Sequence, residues 1–161
     1  HPPASPGLLR QYFSDKFESR HVLLLALLLL IQAFLSPFWP LVSDTGQLVI
    51  PGGLLAIAGF IIFFLGKLNL GSSWGMPAQH NIRNQKHLVT SGIYRRTRNP
   101  IYVGLITFFI GSELLFNSWL ILVAVPVGWL IHTRVLREEV LLHKYFPREY
   151  PRYQNSVPRY L

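Results

Sequence analysis

The feature that most constrains this chain is the blocking of its apolar residues. Residues 22–35 contain one polar side chain, Gln32, and residues 54–65 contain none. A soluble fold rarely carries several such runs, because a helix that is apolar all round has no face to give to water. Composition agrees: 50% of the residues are apolar and 14% are charged, against about 25% charged in soluble domains. The solvent for much of the chain is therefore lipid. The sequence predicts an all-α, polytopic integral membrane protein forming a single domain over residues 1–161. The first residues, 1–7, are read as a trimmed or appended start and set aside. The apolar run from Val22 is not read as a signal peptide. No small-residue cleavage site follows it, and Phe34-Leu35-Ser36-Pro37-Phe38-Trp39 has the aromatic character of a membrane interface.

Four membrane segments are expected, at about 21–39, 50–68, 100–116 and 118–134. Pro37 and Pro40 end the first, Pro51-Gly52-Gly53 opens the second, and Pro100 sits in the first turn of the third, where proline is tolerated. Asn117 and Ser118 are the only turn between the last two, which makes them a helical hairpin. Both arms are short for a span of about 20 residues, so a re-entrant hairpin is the alternative. Pro126 should kink the fourth segment.

Charge sets the orientation. All fifteen Lys and Arg lie in an N-terminal arm (Arg10, Lys16, Arg20), in the stretch 67–98, or in the tail 134–159. Four spans put those three regions on one side, which the positive-inside rule makes cytoplasmic, with both termini and the active site. The net charge of +8 is explained by topology and by attraction to anionic lipid heads, so no nucleic-acid partner is expected. The organisation is an arm (1–20), two membrane helices (21–68), then a loop, the hairpin and a tail (69–161). The tail is helical from Arg134, continues the fourth segment, and is ended by Pro147 and Pro151.

Several chemistries are excluded or disfavoured. The chain has no cysteine, so disulfides, thiolate catalysis and cysteine-ligated zinc are out. Neither a dinucleotide-binding glycine motif nor a P-loop occurs. The only aspartates, Asp15 and Asp44, lie far from the loop and tail histidines, against a Ser-His-Asp triad. His80 and His87 have no carboxylate near them, and no metal is expected.

Two places remain. The loop 69–99 is long for a compact domain, and such loops are usually functional or disordered. It ends in Gly92-Ile93-Tyr94-Arg95-Arg96-Thr97-Arg98-Asn99-Pro100-Ile101-Tyr102. Gly92 suits a turn with positive φ, and the helix start at Asn99-Pro100 offers free backbone N–H groups to a ligand. A basic interfacial linker anchored by Tyr94 and Tyr102 is the plainer reading. In the tail, Arg134 and Glu138 share a helix face, while Glu139 points about 100° further round. An i,i+4 ion pair worth ~0.3–0.5 kcal/mol is the bland reading, and a ligand site at the membrane boundary is the other.

These residues resemble a known family. His87-Leu88-Val89-Thr90-Ser91-Gly92-Ile93-Tyr94 followed by Arg98-Asn99-Pro100-Ile101-Tyr102 is similar to the central motif of isoprenylcysteine carboxyl methyltransferases. Arg134, Glu138-Glu139, Phe146, Glu149-Tyr150, Tyr153 and Val157-Pro158 resemble that family's C-terminal motif, and Leu70-Gly71 with Trp74 its approach to the cofactor loop. Phospholipid N-methyltransferases share the plan. The resemblance implies an S-adenosylmethionine-dependent methyltransferase whose cofactor pocket is built from the loop and the tail. By position, His87, Leu88, Val89, Gly92 and Tyr94 would shape that pocket. Arg98, Asn99, Pro100 and Tyr102 would line its floor, and Glu139, with Glu138 as fallback, would hold the amino end of the cofactor. Arg134 and Glu139 are the expected catalytic pair, Arg134 facing a lipophilic acceptor. Asn99 stands where the eukaryotic enzymes have histidine, which removes a protonatable group. The acceptor expected is a prenylcysteine-like carboxylate; a phospholipid or other amphiphile methylated at N or S is the alternative. An NADPH-dependent membrane reductase and a non-enzymatic membrane adaptor are the rivals from other classes.

Overall fold

The structure is a computed structural model, and it describes residues 27, 30–32, 34, 40–42, 46–71 and 87–161. The chain forms two compact units, His1–Phe38 and Trp39–Leu161. In the first unit, Leu27, Leu30, Ile31, Gln32 and Phe34 have helical backbone; the rest of the expected first segment lies outside the described residues. So do the loop residues 72–86, with Trp74, His80, Arg83 and Lys86.

The second unit is helical among the described residues. Helix α1 spans Gly46–Leu70, α2 Pro100–Leu115, α3 Ala124–Tyr145 and α4 Glu149–Ser156. A 3₁₀ turn at Gly92–Arg95 precedes α2, and another at Trp119–Val123 leads into α3. Two stretches are long and apolar enough to cross a membrane, Gly46–Leu70 and Trp119–Tyr145; Pro100–Leu115 is apolar but shorter. At 16 residues α2 reaches about 24 Å, less than a hydrocarbon core of about 30 Å.

α1 is built inside out relative to a soluble helix. Its buried positions are small: Gly52, Ala56, Gly59 and Gly66. Ile50, Leu54, Ile57, Phe60, Ile61 and Leu68 point outward and are exposed. Lipid gives apolar side chains no reason to turn inward, so close backbone packing holds the pair instead. Gly52, Gly59 and Gly66 recur every seven residues, as do Gly104 and Gly111 on α2. The two rows meet antiparallel: a Cβ at Gly59 would collide with the Phe108 backbone, and one at Gly111 with the Ala56 backbone.

Three boundaries differ from expectation. α1 begins at Gly46, before Pro51, which lies inside the helix and forfeits a hydrogen bond near its start. Pro126 falls in the first turn of α3, where no such bond is lost; the change of winding comes earlier, at Trp119–Val123. Pro147 does follow the end of α3, whereas Pro151 sits in the first turn of a new helix, α4. The hairpin turn is where the sequence puts it. Asn117 takes φ 50°, and its side chain accepts from Val42 N at 3.0 Å and donates to Val42 O at 2.7 Å. Ser118 Oγ accepts from Leu120 N at 3.1 Å and caps the second 3₁₀ turn. α2 packs chiefly on α1, and its contact with α3 is slighter.

Candidate active site

The site forms where the end of the loop, α3 and the C-terminal tail converge. The loop re-enters at the 3₁₀ turn, where Gly92 has φ +60°. Any Cβ there would collide with the Asn69 side chain, whose Oδ1 accepts from Ile93 N at 3.0 Å. The last turn of α1 thus pins the returning loop. Tyr94, next in the turn, is buried, and its carbonyl accepts the Tyr153 hydroxyl at 2.7 Å. Tyr150, Tyr153 and Val157 form a small core with Leu88, Leu142 and Phe146 packed on it. These residues dock α4 and the tail against the loop.

The tail then runs alongside residues 97–99. Arg98 N donates to Pro158 O at 3.0 Å. The Arg159 carbonyl accepts from Thr97 Oγ1 at 3.0 Å and from Asn99 Nδ2 at 3.1 Å. Thr97 is fully buried and also accepts from Asn99 N at 3.2 Å. Asn99 therefore spends its side chain on the tail rather than on capping α2.

Glu139 lies at the centre. Its carboxylate is 8% exposed and pairs with Arg98 Nη1 at 3.0 Å. Arg159 grips it with Nε at 3.0 Å and Nη2 at 2.8 Å, a bidentate fork. Arg98 Nη1 also donates to Tyr150 Oη at 3.2 Å, while Arg98 Nε is buried with no hydrogen-bond partner among the described residues. The Glu139 hydrogen bond holds the Arg159 guanidinium protonated above its ordinary range. Burial, then the Glu139 charge, pushes the Tyr150 hydroxyl up to about 12. Burial raises Tyr94 and Tyr153 as well, so this aromatic lining stays neutral.

Glu138 belongs to a different surface. It accepts from Tyr102 Oη at 2.5 Å, across the gap between α3 and α2. Adjacent acids on one helix are thereby divided, one to the tail and one to the hairpin. Arg134 is exposed and makes no ion pair within 4.0 Å among the described residues, so the i,i+4 bridge to Glu138 is not formed.

Of the residues singled out from sequence, Leu88, Tyr94, Arg98, Asn99 and Glu139 meet the tail here, Tyr102 and Glu138 pair on the hairpin side, Val89 and Pro100 are buried, and Gly92 makes the turn. His87 is exposed in the loop, and Arg134 stands at the rim. Thr97 and Arg159 were not anticipated. Arg159 had one signal: the resemblance joins the tail to the loop, and an acid such as Glu139, once buried there, requires a cation. Thr97 had none, lying as it does in a run of arginines.

The sequence model of a family described as phospholipid methyltransferase matches residues 48–149. The chain is 28% identical over 123 residues to the human protein-S-isoprenylcysteine O-methyltransferase, covering 75% of this chain and 43% of that one. It is 33% identical over 79 residues to the enzyme of that name from Schizosaccharomyces pombe (47% of this chain, 34% of the other). With the Saccharomyces cerevisiae enzyme of that name it is 29% identical over 133 residues (80% and 56%). The chain thus spans about half, or less, of the length of these relatives. No solved structure matches it.

Proposed function

The chain belongs to the phospholipid methyltransferase family, with isoprenylcysteine O-methyltransferases as relatives, and from that premise we propose that it transfers a methyl group from S-adenosylmethionine to a lipophilic acceptor at the membrane interface. The acceptor is the carboxylate of a prenylcysteine-like molecule. One observation carries this reading: the family match at 48–149 contains Arg98 and Glu139, which pair at 3.0 Å where the tail docks, and Tyr102 and Glu138, which pair on the hairpin side of the same helix. In the membrane arrangement that goes with it, four segments cross or enter the bilayer, and both termini and the site lie on the cytoplasmic side.

The residues fit an amino-acid-like cofactor end. Two guanidiniums share one buried carboxylate, which leaves an excess positive charge and the unpartnered Arg98 Nε for a ligand carboxylate. Glu139 is held by Arg98 and Arg159 with the Tyr150 hydroxyl beside it, and an arriving ammonium would share its carboxylate with them. Leu88, Val89 and Tyr94 supply apolar walls. When bound, the cofactor supplies a methyl group activated on a sulfonium. The chain's own work is to bind and align. Arg134 would clamp the acceptor carboxylate bidentately, and a carboxylate nucleophile needs no general base. Tyr102 holds Glu138 on the hairpin side, at the rim where the acceptor arrives.

The family description favours one second reading, a phospholipid amine as acceptor. An amine must lose a proton, and Glu138 would take it. Methyl-labelled cofactor, offered with a prenylcysteine or with phosphatidylethanolamine, separates the two. Label on the prenylcysteine that mild base releases is the expected result, since a methyl ester hydrolyses. Base-stable label on the phospholipid establishes the second reading, and no transfer to either rejects both.

A further inference from the structure

The tail around Arg159 is held without the Arg159 side chain. Pro158 O accepts from Arg98 N at 3.0 Å. The Arg159 carbonyl accepts from Thr97 Oγ1 at 3.0 Å and from Asn99 Nδ2 at 3.1 Å. One residue further, Tyr160 Oη lies 2.9 Å from His132 Nδ1 on α3. The guanidinium can therefore leave Glu139 while the tail stays docked.

The two guanidiniums on Glu139 differ in what surrounds them. Arg98 is buried, and its Nη1 bridges Glu139 Oε1 at 3.0 Å and Tyr150 Oη at 3.2 Å. A buried cation parted from its carboxylate has no water to turn to. Arg159 is about one-third exposed, so it can exchange Glu139 for water at little cost. Arg159 Nε and Arg98 Nη1 meet on Oε1, while Arg159 Nη2 meets Oε2 at 2.8 Å. An ammonium arriving at Glu139 makes a third cation on one carboxylate. Like charges this close repel, so sharing is favourable only when one of the three gives ground. Arg159 is the one that can.

We propose that Arg159 is a latch on the donor site: before a ligand arrives its guanidinium covers the side of Glu139 that the ammonium of an amino-acid-like ligand takes, and it swings to solvent as the ligand binds. This rests on the reading of Glu139 as the seat of the cofactor's amino end. Only open molecules accept the ligand, so the latch weakens binding in proportion to the time it is closed. A partly exposed pair of this kind favours the closed form by a factor of about three to five. The spent donor carries the same ammonium, so the latch also keeps the site from being held by its product.

Arg159→Met removes the charge and the donors at similar length and leaves the tail's backbone bonds in place. The full chain in nanodiscs would be titrated with S-adenosylhomocysteine and with methylthioadenosine, which has the adenosine and the sulfur but no amino-acid end. S-adenosylhomocysteine should bind Arg159→Met about fourfold more tightly, through faster association, and methylthioadenosine should bind native and variant alike. Hydrogen exchange at the Arg98 amide should stay within about fivefold of native, because the tail remains docked. Arg159→Lys keeps the charge without the planar fork and should tighten S-adenosylhomocysteine about twofold; it carries the test should Arg159→Met fail to fold. Unchanged or weaker S-adenosylhomocysteine binding in a folded variant overturns the latch. Equal tightening of methylthioadenosine overturns it as well, since the site is then loosened as a whole. Exchange at Arg98 raised beyond that bound also overturns it, because the side chain is then an anchor of the tail. With saturable S-adenosylhomocysteine binding to the native chain, each of these results leaves the methyl-donor reading standing, whereas no binding to native or variant removes both.

Discussion

Consider replacing Glu139 by glutamine, which keeps the shape of the side chain and removes its charge. In the native protein the Glu139 carboxylate and the Arg98 guanidinium are each 8% exposed, whereas Arg159 is 32% exposed. Arg159 can turn toward water, so its share of the loss is screened and small, about 0–1 kcal/mol. Arg98 cannot: its Nε already has no partner, and its neighbours are the packed tyrosines. Breaking a buried pair by removing one partner costs ~3–5 kcal/mol. The glutamine carbonyl still accepts one bond, which argues for the low end, about 3 kcal/mol. The loss should appear as undocking of the tail, which Glu139 ties through Arg159. At ~1.4 kcal/mol per factor of ten, the tail should open about 100-fold more often. Hydrogen exchange at the Arg98 amide, bonded to Pro158 O, reads that opening in nanodiscs. Amides of α1 and α2 should keep their protection. A change at Arg98 of less than about threefold, under ~1 kcal/mol, would refute the claim that the buried carboxylate anchors the tail.

Gly59→Leu should prevent α1 and α2 from closing, because its side chain meets the Phe108 backbone, while Gly53→Ala, whose Cβ lies 3.9 Å from Leu115 Cδ1, should be tolerated. Thermal unfolding in detergent compares them, and equal stability would contradict the close helix approach. Arg134→Lys should lose turnover far more than cofactor affinity, since lysine lacks the planar fork, whereas Arg137→Lys should be mild. Equal loss in both would remove Arg134 from the acceptor site. The chain has no cysteine, so single cysteines at Ser5 and Ser156 can be labelled cleanly. Both should react from the same membrane face, and reaction from opposite faces would rule out four spans.

Much of this was legible in the sequence where one physical rule dominates. Proline and glycine marked the start of α2 at Pro100 and the positive φ of Gly92, and Asn117 announced the hairpin turn. The apolar run of α1 was plain, but its start was not, because Pro51 reads as an opening residue and tertiary packing carries the helix through it. The 3₁₀ turn at Trp119–Val123 left no trace, since its residues are as apolar as those of the helix that follows. At the site, helical geometry correctly separated Glu138 from Glu139. It could not say what each would meet. Thr97 meets the Arg159 carbonyl 62 residues away and the Arg159 guanidinium meets Glu139 20 residues away, and such pairings have no periodicity to read.

The central claim is that the loop and tail around Arg98 and Glu139 hold the methyl donor. The direct measurement is ligand titration of the full chain in nanodiscs, with S-adenosylhomocysteine in one arm and NADPH in the other. The account predicts saturable binding of S-adenosylhomocysteine, weakened at least tenfold in Arg98→Ala, and no binding of NADPH. Binding of NADPH instead would make the chain a reductase, and binding of neither a non-catalytic membrane protein; each result contradicts the account.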